Sequence, residues 1–502
     1  MSEAEVIISR PLSVAENFFR SRTASGFYRN FQVTATYNFD LKKNNLQLLY
    51  YALRKTLIEY PILASNVQFN EKVKTYEYKL LKEIKLRDVL VMEAQTYSNQ
   101  YLTHGVINEK FMKTANNIQF ELYCQKPLFY LILIDEYNLS AVFEHTIGDG
   151  LVGNYFHEAL LKNWARCENE GLLEKVEGEK IHACPDPLDS VLFSFQNDKS
   201  LIENSLPPPM DIFLEDMDLD YTYGDNKFHE RVAPATHPTK WAGRFKAQDT
   251  HEIAFKLINL TANETATILR KCKEKKVTLT PYIEIVLAYT LQPIFGDDCY
   301  ATHKIAMTLR RHFTSLKAPV AYHKILNDPN YKILGTLAHM GFSENLPPIT
   351  EFSWNLVQTV NMHLQHAIKN KRALNQLKLF KDTCDLTHDT NEQFFTQQLG
   401  KPKADAVKIS NLGLINAEET VGANNTSQRK LTFTNMVFSQ DMAPYGSEFM
   451  LSVISTPKGG LNLVLSYYNH SFDDSKWSNF DIFIERLKSN LMYFCSASPQ
   501  NS

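Results

Sequence analysis

Apolar and polar residues alternate in regular patterns along most of the chain. Apolar residues at helical spacing predict helices over 13–28, 44–58, 150–166, 262–275, 281–292, 350–372 and 475–493. Period-two alternation or short apolar runs predict strands over 31–39, 62–69, 75–81, 128–134, 139–144, 251–259, 303–309, 406–410, 431–438, 449–455 and 461–468. Helices and strands mix in both halves without strict βαβ repeats or an internal period, so the pattern predicts an α/β fold.

One long stretch, 184–247, lacks clear periodicity and is rich in proline, with three consecutive prolines at 207–209. A stretch of this length without periodicity is unusual inside one compact domain, so we interpret it as a crossover. With 502 residues the chain is too long for a single ordinary core. The sequence therefore predicts an N-terminal domain over 1–183, a linker over 184–247 and a C-terminal domain over 248–502.

Composition and charge exclude several classes of protein. The net charge of −3 gives no basic field for nucleic acid, and the start lacks the long apolar core of a secretory signal. Apolar runs such as 127–134 are far shorter than a membrane span. Seven scattered cysteines without a CxxC pair are typical of a reducing compartment. We expect an intracellular, cytoplasmic protein; the alternative is peripheral contact with a membrane surface through aromatic helix faces.

The segment His145-Thr146-Ile147-Gly148-Asp149-Gly150 carries the candidate chemistry. It follows the predicted 128–144 hairpin and precedes a predicted helix, so it forms a strand-to-helix corner. An ordinary structural explanation exists, because Asp149 can be an N-cap and Gly148 and Gly150 suit a tight turn. The functional hypothesis is that His145 is a general base, since an imidazole can accept and return a proton near neutral pH. Asp149 is then a structural or orienting anion that an arginine would hold.

Three segments of the sequence resemble motifs of a known superfamily. HTIGDG after an apolar hairpin is similar to the HxxxDG motif of the CoA-dependent acyltransferases. Two further segments resemble the fungal alcohol acetyltransferase branch: Tyr28-Arg29-Asn30-Phe31 and Ile409-Ser410-Asn411-Leu412-Gly413. The 303–311 strand that ends in Arg310-Arg311 also fits. The plant branch carries a DFGWG motif, which 438–446 does not match, so CoA contacts stay unassigned.

The resemblance implies two chloramphenicol-acetyltransferase-like domains, with mixed sheets flanked by helices and an active-site tunnel between them. Acetyl-CoA would be the co-substrate, without a metal. Ser410 would be an oxyanion donor, Asn411 would hold its loop with Gly413, and Arg29, followed by Arg310, is the candidate partner of Asp149. A monomer that binds no nucleic acid is expected. If the protein contacts a membrane surface, the resemblance implies the endoplasmic reticulum or lipid droplets.

The implied activity is O-acetylation of a small or lipophilic alcohol by direct transfer, which makes an acetate ester. The main alternative is N-acetylation of an amine such as a sphingoid-base-like compound, as in a detoxification reaction. Two rivals stay open: a non-catalytic binding protein of the same fold, and a hydrolase that uses water as the acceptor.

Overall fold

The chain folds into two compact units that are interleaved in the sequence. The structure is a computed structural model that describes residues 5–93, 99–171, 187–214, 233–243, 252–383, 393, 395–422, 428–469, 471 and 480–496. Unit 1 comprises the described residues of 1–216, 310–337 and 414–438. Unit 2 comprises those of 217–309, 338–413 and 439–502.

The helices of the described residues are α1 Val14–Ala24, α2 Gln47–Glu59, α3 Leu86–Val89, α4 Glu109–Asn116, α5 Gly150–Asn169, α6 Phe195–Asp198, α7 Ala262–Glu274, α8 Leu279–Phe295, α9 His323–Asn327, α10 Trp354–Lys369, α11 Arg372–Thr383 and α12 Phe480–Ser496. Short 3₁₀ helices occur at Pro61–Ala64, Pro187–Asp189, Lys199–Leu201, Met210–Phe213, Arg310–His312 and Val320–Tyr322.

The strands of the described residues are β1 Ser9–Pro11, β2 Phe31–Tyr37, β3 Ser65–Asn70, β4 Thr75–Leu80, β5 Glu83–Lys85, β6 Leu90–Met92, β7 Leu102–Thr103, β8 Val106–Ile107, β9 Phe129–Leu133, β10 Asn138–Phe143, β11 Val191–Ser194, β12 Ile253–Leu260, β13 Ala301–Thr308, β14 Ala338–Leu346, β15 Val407–Leu414, β16 Glu418–Val421, β17 Arg429–Gln440, β18 Phe449–Thr456 and β19 Gly460–Tyr468. Together with the helices they form a mixed α/β fold, which confirms the predicted fold class.

Unit 1 is built on a six-stranded mixed sheet with the order β16-β17-β2-β10-β9-β6. The predicted hairpin is confirmed: β9 and β10 pair antiparallel, and the Asp135 carboxylate accepts hydrogen bonds from the backbone N–H groups of Tyr137 and Asn138 in the turn. Since β10 lies between β2 and β9, all six of its residues are buried. The sheet therefore delivers the segment after Phe143 from one of its inner strands.

Helix α1 is fixed at its first turn by a buried network. Ser13 caps the helix in a capping box with Glu16. The Glu16 carboxylate also pairs with Arg10 at 2.7 Å, and both side chains are almost completely buried. Because the helix start is held in this way, the side chains of its last two turns have defined positions.

Unit 2 has its own six-stranded sheet with the order β12-β19-β18-β15-β13-β14. Strands β13 and β15 are parallel, and the pairs β12–β19, β18–β19 and β13–β14 are antiparallel. The inward face of α12 buries Phe483, Leu487 and Leu491, as the apolar spacing predicts. Trp477, which was assigned to the same helix, lies outside the described residues.

The unit boundaries differ from the contiguous domains predicted from the sequence. Segments 310–337 and 414–438 follow the predicted linker in the chain but belong to unit 1, where β17 pairs with β2. Residues 187–214 of the predicted linker are also part of unit 1: β11 pairs with β5, and Phe193 and Leu206 are fully buried. Sequence spacing cannot predict such long-range pairing, which explains the difference.

The helix predicted over 350–372 corresponds to α10, and a second helix that was not predicted, α11, follows it. Helix α10 ends at Lys369 and α11 begins at Arg372, with Lys371 between them at a φ of +53°. A lysine with positive φ cannot continue an α-helix. Helix α8 begins at Leu279, two residues before the start predicted at 281, and Thr278 is its N-cap.

Candidate active site

The six-residue segment forms a strand-to-helix corner in unit 1. Residues 145–147 turn directly after β10, and α5 begins at Gly150 with Asp149 as its N-cap. One oxygen of the Asp149 carboxylate accepts a hydrogen bond from the Leu151 N–H at 3.1 Å. The ordinary structural role of Asp149 is therefore present, and it leaves the second carboxylate oxygen for other partners.

Glycines let the corner pack against its surroundings. A Cβ at Gly148 would lie 2.9 Å from three side-chain carbons of Val152. Farther along α5, a Cβ at Gly153 would lie 2.3 Å from a methyl carbon of Val33 on β2. The absence of a side chain at Gly153 thus lets α5 approach the sheet closely, and this sets the position of the corner.

His145 lies in an aromatic setting and is partly exposed. Its ring stacks on Phe19 of α1, with centroids 3.9 Å apart and an interplanar angle of 12°. The rings of Tyr28 and Phe31 meet it edge-on at 5.4 and 5.5 Å. The residue as a whole is half-buried, and its Nδ1 atom is buried without a hydrogen-bond partner among the described residues.

The surroundings of His145 favour its neutral form. Desolvation lowers the pKa of the imidazole well below its usual value of 6.5, and the positive charge of Arg22 lowers it further. A contact with the residue's own backbone acts in the opposite direction. The imidazole is therefore unprotonated at neutral pH, as a proton acceptor must be.

Asp149 is bound away from His145. Its second carboxylate oxygen accepts hydrogen bonds from Arg310 Nη1 at 2.8 Å and from the backbone N–H of Leu337 at 2.9 Å. The other guanidinium nitrogens of Arg310 donate to the carbonyl oxygens of Ile333 and Gly335. The ion pair thus connects the N-terminus of α5 to the 310–337 segment.

The choice of Arg29 as first partner for Asp149 is corrected by this geometry. Arg310, the second candidate, forms the ion pair, with side-chain exposures of 10% for Arg310 and 4% for Asp149. Arg29 precedes β2 and is partly exposed. The physical reason is that the chain after Arg310 folds back onto unit 1, where Leu337 approaches the same carboxylate.

Further contacts fix the backbone of the corner. The hydroxyl of Thr336 donates to the carbonyl oxygens of both His145 and Thr146, each at 2.7 Å. Tyr78 donates its hydroxyl to the Thr146 carbonyl at 2.7 Å. The position of His145 therefore depends on β4 and on the 310–337 segment of unit 1, and not on the local turn alone.

Glu144 anchors α1 beside the corner. It is fully buried, and its carboxylate accepts hydrogen bonds from the Thr23 hydroxyl and the Thr146 N–H, both at 2.6 Å. Desolvation raises the pKa of Glu144, and these hydrogen bonds and the charge of Arg22 oppose that rise. Glu144 thus holds the end of α1 next to the candidate base.

The second sequence motif lies in unit 2, on β15. Asn411 binds Thr280 through its amide, and its side-chain oxygen accepts a hydrogen bond from the Gly413 N–H at 2.9 Å. Gly413 has a φ of +85°, a conformation that favours glycine. Asn411 and Gly413 lie within the strand, where the amide of Asn411 joins β15 to α8, and the loop-holding role of Asn411 stays a prediction. Ser410 is partly exposed on the same strand, and its role as an oxyanion donor stays a prediction.

Several residues around His145 had no sequence signal. Phe19, Arg22 and Glu144 come from α1 and the end of β10, and Thr336 lies 191 positions from His145. Such residues can be found only when the chain is folded.

In the part of the chain that the structure describes, no group of three or more His, Cys, Asp or Glu could hold a metal ion. No helix within the described ranges is long and apolar enough to cross a membrane.

The chain matches a known protein family over nearly its whole length. Residues 12–491 match the alcohol acetyltransferase family. The N-acetyltransferase SLI1 of Saccharomyces cerevisiae is 19% identical over 481 residues, covering 91% of this chain and 95% of that protein.

Solved structures show a similar fold. Trichothecene 15-O-acetyltransferase TRI3 from Fusarium sporotrichioides matches with a TM-score of 0.58 and 11% identity, over 96% of this chain and 95% of that one. The starter condensation domain of rhizomide synthetase RzmA, solved with C8-CoA, matches with a TM-score of 0.55 and 10% identity, over 96% and 94%. The fold is therefore that of the two-domain condensation and acetyltransferase proteins, and the chain is an acyltransferase that belongs to the alcohol acetyltransferase family.

Proposed function

We propose that the protein transfers the acetyl group of acetyl-CoA directly to the hydroxyl of an alcohol, with His145 as the general base. The observation that carries this proposal is the half-buried imidazole of His145, which stacks on Phe19 at a corner whose backbone Thr336 and Tyr78 hold. Nδ1 is enclosed by the protein, and we assign the proton transfer to the other ring nitrogen, Nε2. A hydroxyl group is a poor nucleophile until a base removes its proton, which is the task of His145.

One proton is transferred twice in the reaction, first from the acceptor to His145 and then from His145 to the thiolate of CoA. His145 Nε2 takes the acceptor proton while the acceptor oxygen forms a bond to the thioester carbonyl carbon. The tetrahedral intermediate then loses the thiolate of CoA, which receives the proton from His145. An acyl-enzyme is not required, and Asp149, bound to Arg310 and Leu337, serves to hold the corner.

An amine acceptor is the second candidate. It is supported by the similarity to an N-acetyltransferase over 91% of the chain. A neutral amine attacks without prior deprotonation, and His145 would collect the proton that it loses afterwards. A sphingoid-base-like amine is the acceptor class that we propose for this alternative.

The test is mass spectrometry of the products formed from acetyl-CoA and a mixed panel of alcohols and amines. We expect acetate esters as the main products, and N-acetyl products would establish the alternative. Release of CoA without an acceptor would identify a hydrolase. No turnover with any acceptor would favour a non-catalytic binding protein.

The His145→Ala variant tests the general base in the same assay. We expect kcat to fall by about 10²- to 10⁴-fold with an unchanged thermal transition. His104, an exposed histidine of unit 1, gives the matched control, since His104→Ala removes an imidazole from the surface. Turnover that survives His145→Ala would show that the base has been assigned to the wrong residue.

A further inference from the structure

A half-buried arginine, Arg22, lies close to the candidate base. The Arg22 guanidinium carbon is 3.8 Å from the ring centroid of Tyr28 and 4.6 Å from that of Phe19. The same two rings contact the His145 imidazole. Arg22 and His145 therefore contact the same two rings. Cation–π contacts with both rings fix the orientation of the Arg22 guanidinium.

The guanidinium has hydrogen-bond donors without acceptors. Nε and Nη2 of Arg22 are buried and have no partner among the described residues. The nearby Glu144 carboxylate accepts its hydrogen bonds from Thr23 and Thr146. Buried charged donors without acceptors are costly in a folded protein, so such donors point to an acceptor that the chain itself does not supply.

Acetyl transfer generates an acceptor of this kind. When the acceptor oxygen attacks, the carbonyl oxygen of the thioester becomes negatively charged, and the charge disappears when the C–S bond breaks. We propose that the free N–H groups of Arg22 bind this oxyanion beside His145, so that Arg22 is a catalytic residue. This inference rests on the proposed function, because only acyl transfer forms the oxyanion.

The charge of Arg22 has a second, separable effect on the base. Among the described residues, the charged and titratable groups near His145 come from several segments. They are Arg22 of α1, Tyr28 before β2, Glu144 after β10, Asp149 before α5, and Arg310, which pairs with Asp149. Desolvation is the largest cause of the lowered pKa of His145, and the charge of Arg22 is the second largest. Loss of its charge therefore raises the pKa of the imidazole and moves the acidic limb of the rate profile to higher pH.

The test compares Arg22→Met and Arg22→Lys by steady-state kinetics across pH, with acetyl-CoA and the best acceptor. For Arg22→Met we expect kcat to fall about 100-fold, since removal of one oxyanion donor has effects of this size. KM for acetyl-CoA should stay within about threefold, because the oxyanion does not exist in the ground state. The acidic limb should move to higher pH, because the positive charge that lowers the pKa of His145 is gone. Arg22→Lys keeps the charge, so its limb should stay in place.

Arg20 provides a matched control on the same helix. Its guanidinium lies 3.8 Å from the Tyr76 ring and donates to the Tyr123 hydroxyl, away from His145. Arg20→Met should lower the Tm without moving the acidic limb or reducing kcat more than about threefold. If Arg22→Met fails to fold, Arg22→Lys and Arg22→Gln replace it in the comparison of kcat with KM.

The outcomes separate this inference from the proposed function. An active wild type whose Arg22 variants keep kcat within about threefold would overturn the oxyanion role alone. A rise in KM with an unchanged kcat would also overturn it, because Arg22 would then bind a ground-state anion. A wild type that acetylates no acceptor would overturn both the proposed function and the role of Arg22.

Discussion

Replacement of Asp149 by asparagine should damage stability and activity together. The carboxylate accepts three hydrogen bonds, from the Leu151 N–H, the Leu337 N–H and Arg310. An asparagine has one side-chain oxygen, which can keep the N-cap bond to Leu151 but cannot serve all three donors. The variant therefore removes the negative charge that Asp149 places against the Arg310 guanidinium.

The magnitude follows from the burial of this pair. Breaking a buried ion pair by removing one partner typically costs 3–5 kcal/mol, and the lower end, about 3 kcal/mol, applies because Arg310 keeps its bonds to two carbonyl oxygens. For a cooperative unit of this size, about 3 kcal/mol lowers the Tm by roughly 10 °C. We expect kcat to fall as well, because Thr336 and Leu337 position the corner that carries His145.

The assay is a thermal melt measured in parallel with initial rates at a temperature well below both transitions. Asp135→Asn is the matched control: this partly exposed carboxylate of unit 1 caps the β9–β10 turn, and its replacement should shift the Tm by only a few degrees. The Asp149→Asn/Arg310→Met double variant should lose less than the sum of the single variants. A selective rate loss at wild-type Tm would refute the reasoning and give Asp149 a direct catalytic role.

Two further predictions concern the base and the packing beneath it. Because burial lowers the pKa of His145 well below the usual histidine pKa of 6.5, kcat/KM should stay constant down to pH 6.5 and fall only at more acidic pH. A pH–rate profile whose acidic limb lies at or above pH 6.5 would contradict the burial argument. Gly153→Ala should lower the Tm by several degrees, since its Cβ would meet Val33 at 2.3 Å, and overpacking of this kind typically costs about 1–3 kcal/mol. Val33→Ala should recover part of that loss in the double variant, and failure to do so would show that another contact limits the site.

The local features of the site could be predicted from the sequence because they depend on neighbouring residues. The apolar 128–144 hairpin, its Asp135 turn and the Asp149 N-cap are each encoded within a few positions. The glycines of the corner likewise indicate a tight turn. Sequence reasoning is strongest where hydrogen bonds and packing are local, and the strand-to-helix corner is of this type.

The long-range features could not be predicted in the same way. Arg310 meets Asp149 across 161 positions, and nothing in the spacing ranks it above Arg29. The helix predicted over 350–372 illustrates another limit, because its apolar period is helical up to the break at Lys371. The aromatic and charged residues of α1 likewise acquire meaning only when that helix packs beside His145.

The most direct test of the central claim is a single-turnover measurement with isotope-labelled acetyl-CoA, in which the labelled product is followed by mass spectrometry. We predict that the wild type and His104→Ala form labelled acetate ester at the same rate. His145→Ala, with the same thermal transition, should form it at least about 100-fold more slowly. Equal rates for His145→Ala and the wild type would contradict the account.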